Sequence, residues 1–465
     1  MLGYDETIMR AADVEKLSAQ LSGQAFLPGE SGYDDECACF EQSVEHHPLL
    51  VVAAADQADV AAAVLFAAAH NLPVAVQATG HGVALPADGA LLVSTRRMTE
   101  VRVDIMSATA LVGAGAQWTQ VIDEAARHGL APLNGSAPFV GAVGYTLGGG
   151  IGVLSRRYGY AADHVRRLEV VTPDGTPRTA SAEENPDLFW ALRGGRANFG
   201  IVTAMVIDLL PVTKLYGGGL YFAGELTRDV LHAYRTWAPR VPDEMTTSVA
   251  LFPYPDEPSI PEPIRGRFTV HVRVAYLGEA GEGAELVRPL RDVGERLLDT
   301  VGMMPYSDVG SIHGDIPEPA PTCNQSTHLR ELDREAMETL LAFAEPAADP
   351  LFAVEIRHLG GALARQPTSP SAVPRTNAAF QLYAVSMLLP EQEANIHAAQ
   401  GNLMKAMAPW DTGRKALNFL SGTTNTSIEA VRRAYDDESY QRLRELKTVY
   451  DPYNRFRVNH NIPPL

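Results

Sequence analysis

GAVGYTLGGGIGVLSRRYGYAAD, residues 141–163, is dense in glycine and carries no charge before Arg156. Glycine has no Cβ, so its main-chain N–H can approach a bulky anion, and neighbouring glycines let several N–H groups converge. Donors of this kind neutralise phosphate without lysine. That suits a chain of 465 residues with a formal net charge of −18. The stretch does not fit the phosphate loop G-x-x-x-x-G-K-[ST]. Nor is it a clean G-x-G-x-x-G behind a strong strand, so a Rossmann site is weakly supported. A second cluster, QATGHGVALPADG at 77–89, sets His81 between Gly80 and Gly82 where an apolar run ends. Taken singly, either cluster reads equally well as a tight turn.

Working outward, the chain is too long for one compact core, and two domains are expected, one of them interrupted by the other. With 46% hydrophobic and 20% charged residues the composition is that of a globular protein. The acidic balance would repel a polyanionic duplex, so nucleic acid is not an expected partner. Cys37, Cys39 and Cys323 are too few for a disulfide framework and lack zinc-ligand spacing, so no metal site is expected. The opening MLGYDETIMRAADVEK has early acids and no apolar centre, unlike a signal peptide, and no apolar run reaches the ~18 residues of a membrane span. A reducing cytoplasm is the expected location. A monomer or homodimer is the expected state.

Residues 48–54 read as a buried strand, with Asp56 capping a helix that ends near Asn71 and Pro73. Val74 and Val76 open the strand that runs into Gly80. Short strands follow at 90–94, 100–104 and 109–113, then an amphipathic helix over 118–128 stopped by Gly129. Residues 168–173 lead into Asp174-Gly175, a hairpin signal. A helix starts near Asn185, and a long strand follows from about Asn198. Beyond Pro211 the character changes to alternating strands such as FTVHVRVAYL and FQLYAVSMLL, with helices near 281–298 and 390–407 and Pro-rich loops at 253–266 and 312–322. A helix at about 428–447 and a Pro/Asn-rich tail close the chain. The expected fold is α+β. A two-part domain, 1–210 with a returning segment 416–465, is interrupted by an antiparallel-sheet domain, 211–415, with helices on one face.

Taken together, G-H-G after a strand, GSAPFVG at 135–141, the segment through Asp163, ENPDLFWALRGGRANFGIVT at 184–203 and the tail RLRELKTVYDPYNRFRVNHNIPP from Arg442 resemble a known family. It is that of the vanillyl-alcohol-oxidase-type FAD-linked oxidoreductases, in the berberine-bridge-enzyme-like branch. The resemblance covers about 40–210 and 415–465. It implies that His81 bonds covalently to the methyl at flavin position 8, which tethers the ring and makes it a stronger oxidant. The family's R-x-G-G-H motif reads Gln77-Ala78-Thr79-Gly80-His81 here, without the arginine and the first glycine. Some relatives carry a second link through a cysteine, but the matching residue is Ala137, so a single link is expected. The resemblance further implies that Ala78, Thr79, Gly80 and Gly82 hold the pyrophosphate. Gly141, Gly144, Gly148, Gly149 and Gly150 would wrap phosphate and ribitol. Gly200 and Ile201 would lie on the adenine side, and Asn459 and Asn461 would meet the flavin ring. A loop at 142–145 would govern oxygen access.

The chemistry implied is hydride transfer from substrate to flavin N5 while a base removes a proton from its O–H or N–H. Tyr435 and Tyr383 are the candidate bases, each needing its pKa lowered. Gln381 shares a strand face with Tyr383, and Glu355 and His358 come from FAVEIRHLGG; these three are candidate substrate contacts. The leading expectation is an FAD-dependent oxidase acting on an alcohol, hemiacetal or amine of a mid-sized, secondary-metabolite type of molecule in a bacterium. Dioxygen would accept the electrons, giving hydrogen peroxide. Oxidative cyclisation, desaturation or oxygenation is a second expectation, and a flavin- or ligand-binding protein without turnover a third.

Overall fold

The computed structural model describes residues 10–83, 85–346, 352–420 and 425–465, so residues 1–9 of the opening stretch lie outside it. Three sheets organise the chain. A four-stranded sheet pairs Leu50–Ala53 and Val74–Gln77 in parallel on either side of Leu91–Ser94, with Gln24–Phe26 antiparallel on the outer edge. The parallel strands are buried on both faces, which is why they read as unbroken apolar runs. The helix Gln57–Ala69 crosses between them, capped by Asp56, whose carboxylate accepts from Asp59 N–H. Val101–Asp104, Thr109–Gly113, Val165–Val171, Pro177–Ser181 and Ile201–Asp208 form a second, antiparallel sheet of five strands. Its hairpin turns at Asp174-Gly175, where Gly175 takes φ +76°.

The third sheet, of eight strands drawn from 214–387, is antiparallel throughout. Its strands alternate. Val270, Val272, Val274, Val249, Leu251, Val354, Ile356 and Leu382 fall on one face and are sealed by the helices Thr227–Trp237, Ala280–Arg291, Arg334–Ala344 and Glu393–Ala406. The intervening residues line up in polar rows on the other face. Arg273, Ser248, Arg357, Gln381 and His328 form one row, and His271, Ala250, Glu355, Tyr383 and Ser326 the next. Helices therefore cover only one face, and the polar face is free to close a site.

The C-terminal segment folds back onto the first domain. Arg455 O accepts from Val74 N–H. Lys447, buried and paired with Asp451 at 2.8 Å, donates through Nζ to Asn198 O and Phe456 O. Three sequence expectations shift. The helix expected over 281–298 stops at Arg291, because Pro289 and Gly294 interrupt it and Arg296–Asp299 joins the large sheet. The helix expected over 428–447 is two, Ile428–Arg432 and Asp437–Tyr450, since Asp436 caps a new start by accepting from Ser439 N–H. The loop at 142–145 is the first part of a short helix, Ala142–Leu147.

Candidate functional site

Where the polar sheet face meets the two smaller sheets lies a cavity of about 450 Å³. Ala78, Thr79, Gly80, His81 and Gly82 form one side, and Gly135, Gly141, Gly144, Gly200 and Ile201 continue it. Arg357, Tyr383 and Phe419 stand on the sheet side, and Asn459 and His460 enter from the tail. The glycines serve different purposes. Gly80 has φ +74° and a Cβ there would meet Cys39 Cβ at 2.3 Å, so this turn requires glycine. A Cβ on Gly144 would meet nothing within 4 Å, leaving bare backbone against open space.

Gly148, Gly149 and Gly150 depart from their expected place. A Cβ on them would strike Asn418, Val373 and Tyr145 respectively. They let chains pack closely behind the cavity and are not among the residues lining it. Asn461 is also not in the lining.

His81 stands in the glycine side of the wall. Its ring stacks on Phe40 at 3.8 Å between centroids, and its Nδ1 lies 2.8 Å from Thr79 Oγ1. Its Nε2 is buried with no hydrogen-bond partner among the described residues. Burial lowers the imidazole pKa to about 4, so the ring is neutral at pH 7 and keeps a lone pair. Around it, the N–H groups of Thr79, Gly80, His81 and Gly82 donate to no acceptor among the described residues. Gly80 is buried, Thr79 and His81 are half-buried and Gly82 is exposed, so these donors stand at the cavity surface, free to take a ligand.

Across from Gly82 stands Arg196, which the sequence reading passed over; a Cβ on Gly82 would sit 3.0 Å from its Nη2. Arg196 holds φ +54°, ψ −138°, a conformation dominated by glycine. Such strain costs about 1–3 kcal/mol and persists only where the surroundings enforce it. Here Tyr435 Oη donates to Gly194 O at 2.7 Å, and Asn198 Nδ2 donates to Gly195 O and His460 O, both at 3.0 Å.

That contact also corrects the expectation for Tyr435. Its ring is buried in the core beside Tyr440, its hydroxyl is satisfied, and it does not line the cavity. Burial raises its pKa, as it does that of Tyr383, so position and not titration separates the two tyrosines. Tyr435→Phe is expected to cost about 1–3 kcal/mol of stability, the range for stranding a buried carbonyl. Chemical denaturation should show that loss.

Tyr383 does reach the cavity, edge-on to Phe419 at 5.2 Å. Burial raises its pKa and Arg357 opposes the rise. Arg357 is the residue two along from Glu355, and strand alternation puts both on the polar face. Its Nε donates to Glu355 Oε2 at 2.8 Å, its guanidinium packs over Phe419, and its terminal nitrogens make no hydrogen bond among the described residues. Glu355 is behind the wall. Its carboxylate accepts from Arg273 at 2.8 Å and Ser248 at 2.7 Å as well, so it is spent on the protein and is no substrate contact.

His358, three residues from Glu355, has the other parity, and its Nε2 lies 2.9 Å from Arg156 Nη1 away from the cavity. Gln381 is fully buried one row from Tyr383, between Arg357 and His328, and does not line the cavity either.

Residues 48–181 match the family model described as FAD binding domain, and residues 403–463 the one described as berberine and berberine like. The chain is 28% identical to (R)-6-hydroxynicotine oxidase of Paenarthrobacter nicotinovorans over 97% of its own length and 99% of the relative's. Among solved structures, 6-hydroxy-D-nicotine oxidase from Arthrobacter nicotinovorans superposes with a TM-score of 0.81 at 25% identity, covering 96% of this chain and 98% of that one. The berberine-bridge-enzyme-like 1 protein of Physcomitrella patens gives 0.84 at 18% identity, with 97% and 99% covered, and shares the fold.

Proposed function

Because the chain belongs to the vanillyl-alcohol-oxidase-type FAD-linked oxidoreductases, berberine-bridge-enzyme-like branch, we propose that it is an oxidase whose FAD is held by a single covalent bond to His81. Its substrate in this reading is a small alcohol, hemiacetal or amine. Bound FAD supplies a ring nitrogen that accepts a hydride from substrate carbon, and dioxygen carries the electrons on to hydrogen peroxide. The observation that carries the reading is the neutral, half-buried imidazole of His81, whose buried Nε2 has no partner among the described residues, in a cavity with glycine-rich backbone N–H groups on its wall. Those residues fit FAD. The imidazole lone pair suits a bond to carbon, and the bare glycine backbone suits phosphate. Asn459 and His460 bring further buried atoms, Oδ1 and Nε2, without a partner among the described residues. Ala137 lines the same cavity and offers no thiol for a second bond, and none of the three cysteines is in the lining.

On the opposite wall Tyr383 presents its hydroxyl and Arg357 a fixed positive charge. We assign to Tyr383, in its ionised phenolate form, the acceptance of the substrate's O–H or N–H proton, which leaves a neutral phenol. Arg357 offsets the negative charge that develops as that proton leaves, while Glu355 holds Arg357 in place.

Acid precipitation tests the attachment. The native protein is expected to give a yellow pellet, and His81→Ala a colourless pellet with the flavin in the supernatant. His81→Ala should also show a lower flavin potential. A colourless pellet from the native protein would overturn the covalent assignment.

A further inference from the structure

Arg196 is the unexplained cation of this cavity. Among the described residues its one hydrogen bond runs from Nη1 to His460 Nδ1 at 2.6 Å, and no carboxylate pairs with it. Nη2 lies against Gly82, on the side where the N–H groups of residues 79–82 are unclaimed. Arg196 is half-buried, and arginines withdrawn from water are ordinarily paired with an acid. The others here follow that rule or are saturated by carbonyls. Arg273 and Arg357 share Glu355, and Arg375 pairs with Asp163. Arg193 donates to Phe189 O, Ser369 O and Pro370 O. Arg196 alone combines a missing acid, a backbone conformation dominated by glycine and a place in the cavity wall. Glycine would relieve the strain and arginine keeps it, so the side chain must be wanted where it stands.

We propose that Arg196 is the cationic half of a diphosphate clamp whose other half is the N–H groups of Thr79–Gly82, and that it fixes the FAD pyrophosphate at the mouth of the His81 turn. The inference rests on the reading of the cavity as the FAD site. A planar guanidinium donates two parallel hydrogen bonds to a phosphate, and the main-chain donors supply the rest. His460 orients the guanidinium by accepting from Nη1. Burial and the neighbouring Arg196 hold the His460 imidazole well below its ordinary pKa, which keeps it a neutral acceptor. The clamp gives an acidic protein one positive charge where its ligand carries its negative ones.

The test uses the full-length His81→Ala protein, so that binding is reversible, and titrates FAD, ADP and riboflavin. ADP has the diphosphate without the ring, and riboflavin the ring without the diphosphate. In that background Arg196→Met, which keeps the length and removes the charge, should weaken FAD and ADP by roughly tenfold to a hundredfold, the range for a charge-assisted hydrogen bond. Riboflavin affinity should not change, and Arg196→Lys should recover part of the loss. Arg196→Gly should raise the melting temperature of the apoprotein while shrinking the further rise on adding FAD. Equal FAD and ADP affinities in parent and Arg196→Met would overturn the clamp. So would an equal loss for riboflavin, which would put the arginine at the ring. A parent that binds none of the three ligands would sink the FAD reading itself, a result distinct from either.

Discussion

Tyr383→Phe is expected to slow flavin reduction by about 10²–10⁴ under anaerobic single turnover, the span of a general acid–base group, with flavin content and visible spectrum unchanged. The substitution removes one oxygen and keeps the ring that packs edge-on against Phe419. Folding should therefore be preserved, and the change in rate reports on the hydroxyl. The electrostatics add a second signature. Burial drives the Tyr383 pKa up, and Arg357 is the first influence pulling it back. If the tyrosine accepts the proton, the reduction rate climbs with pH as the phenol ionises. Arg357→Met removes the opposing charge, so that limb should move to higher pH. Reduction within a few-fold of the parent in Tyr383→Phe, with the pH limb retained, would remove the tyrosine from the chemistry.

The largest stability effect is expected at Glu355. This carboxylate is buried with Arg273 and Arg357 each at 2.8 Å, Ser248 at 2.7 Å and His313 at 3.8 Å. Desolvation alone would raise its pKa. Arg357, Arg273 and His313, with the Ser248 hydrogen bond, outweigh that and hold the group well below the usual carboxylate range. Glu355→Leu leaves two guanidinium groups without the carboxylate they share and should cost about 3–5 kcal/mol, as when one partner of a buried pair is removed.

The pH dependence has a definite sign. The folded carboxylate titrates lower than the unfolded one, whose ordinary value is 4.5. Its contribution is therefore complete above that value and is lost as pH falls toward the depressed folded pKa. Denaturation of native protein and Glu355→Leu between pH 7 and pH 3 should show the difference between them shrinking at the acid end. A variant as stable as the native protein at pH 7 would show that the cluster adds nothing. Glu355→Leu should also slow flavin reduction, since Arg357 loses the carboxylate that aims it.

Several features were legible from residues alone. FTVHVRVAYL alternates valine with threonine, histidine and arginine, and that alternation is the two-faced sheet. The G-H-G turn at the end of a strand, the glycine-rich segment and the Pro/Asn-rich tail read as parts of one site, and residues 78–82 share one cavity with Gly141, Gly144, Gly200 and Asn459. These signals are local. They follow from periodicity and from glycine's missing Cβ, which neighbours in sequence are enough to specify.

What tertiary structure alone decided was which polar groups face one another. Tyr435 and Tyr383 are both tyrosines in plausible places, but only packing sends one to Gly194 O and the other to the cavity. Glu355 and His358 looked equivalent until the strand's period of two put them on opposite faces and left Arg357 as the residue of this strand that reaches the cavity. Arg196 sat unnoticed in a glycine-rich run, because its meaning comes from His460, 264 residues away, and from an acid that is missing. A sequence writes out the conformations its own neighbours allow. Charge balance and hydrogen-bond satisfaction are sums over atoms brought together from distant segments, and those exist only once the chain has folded.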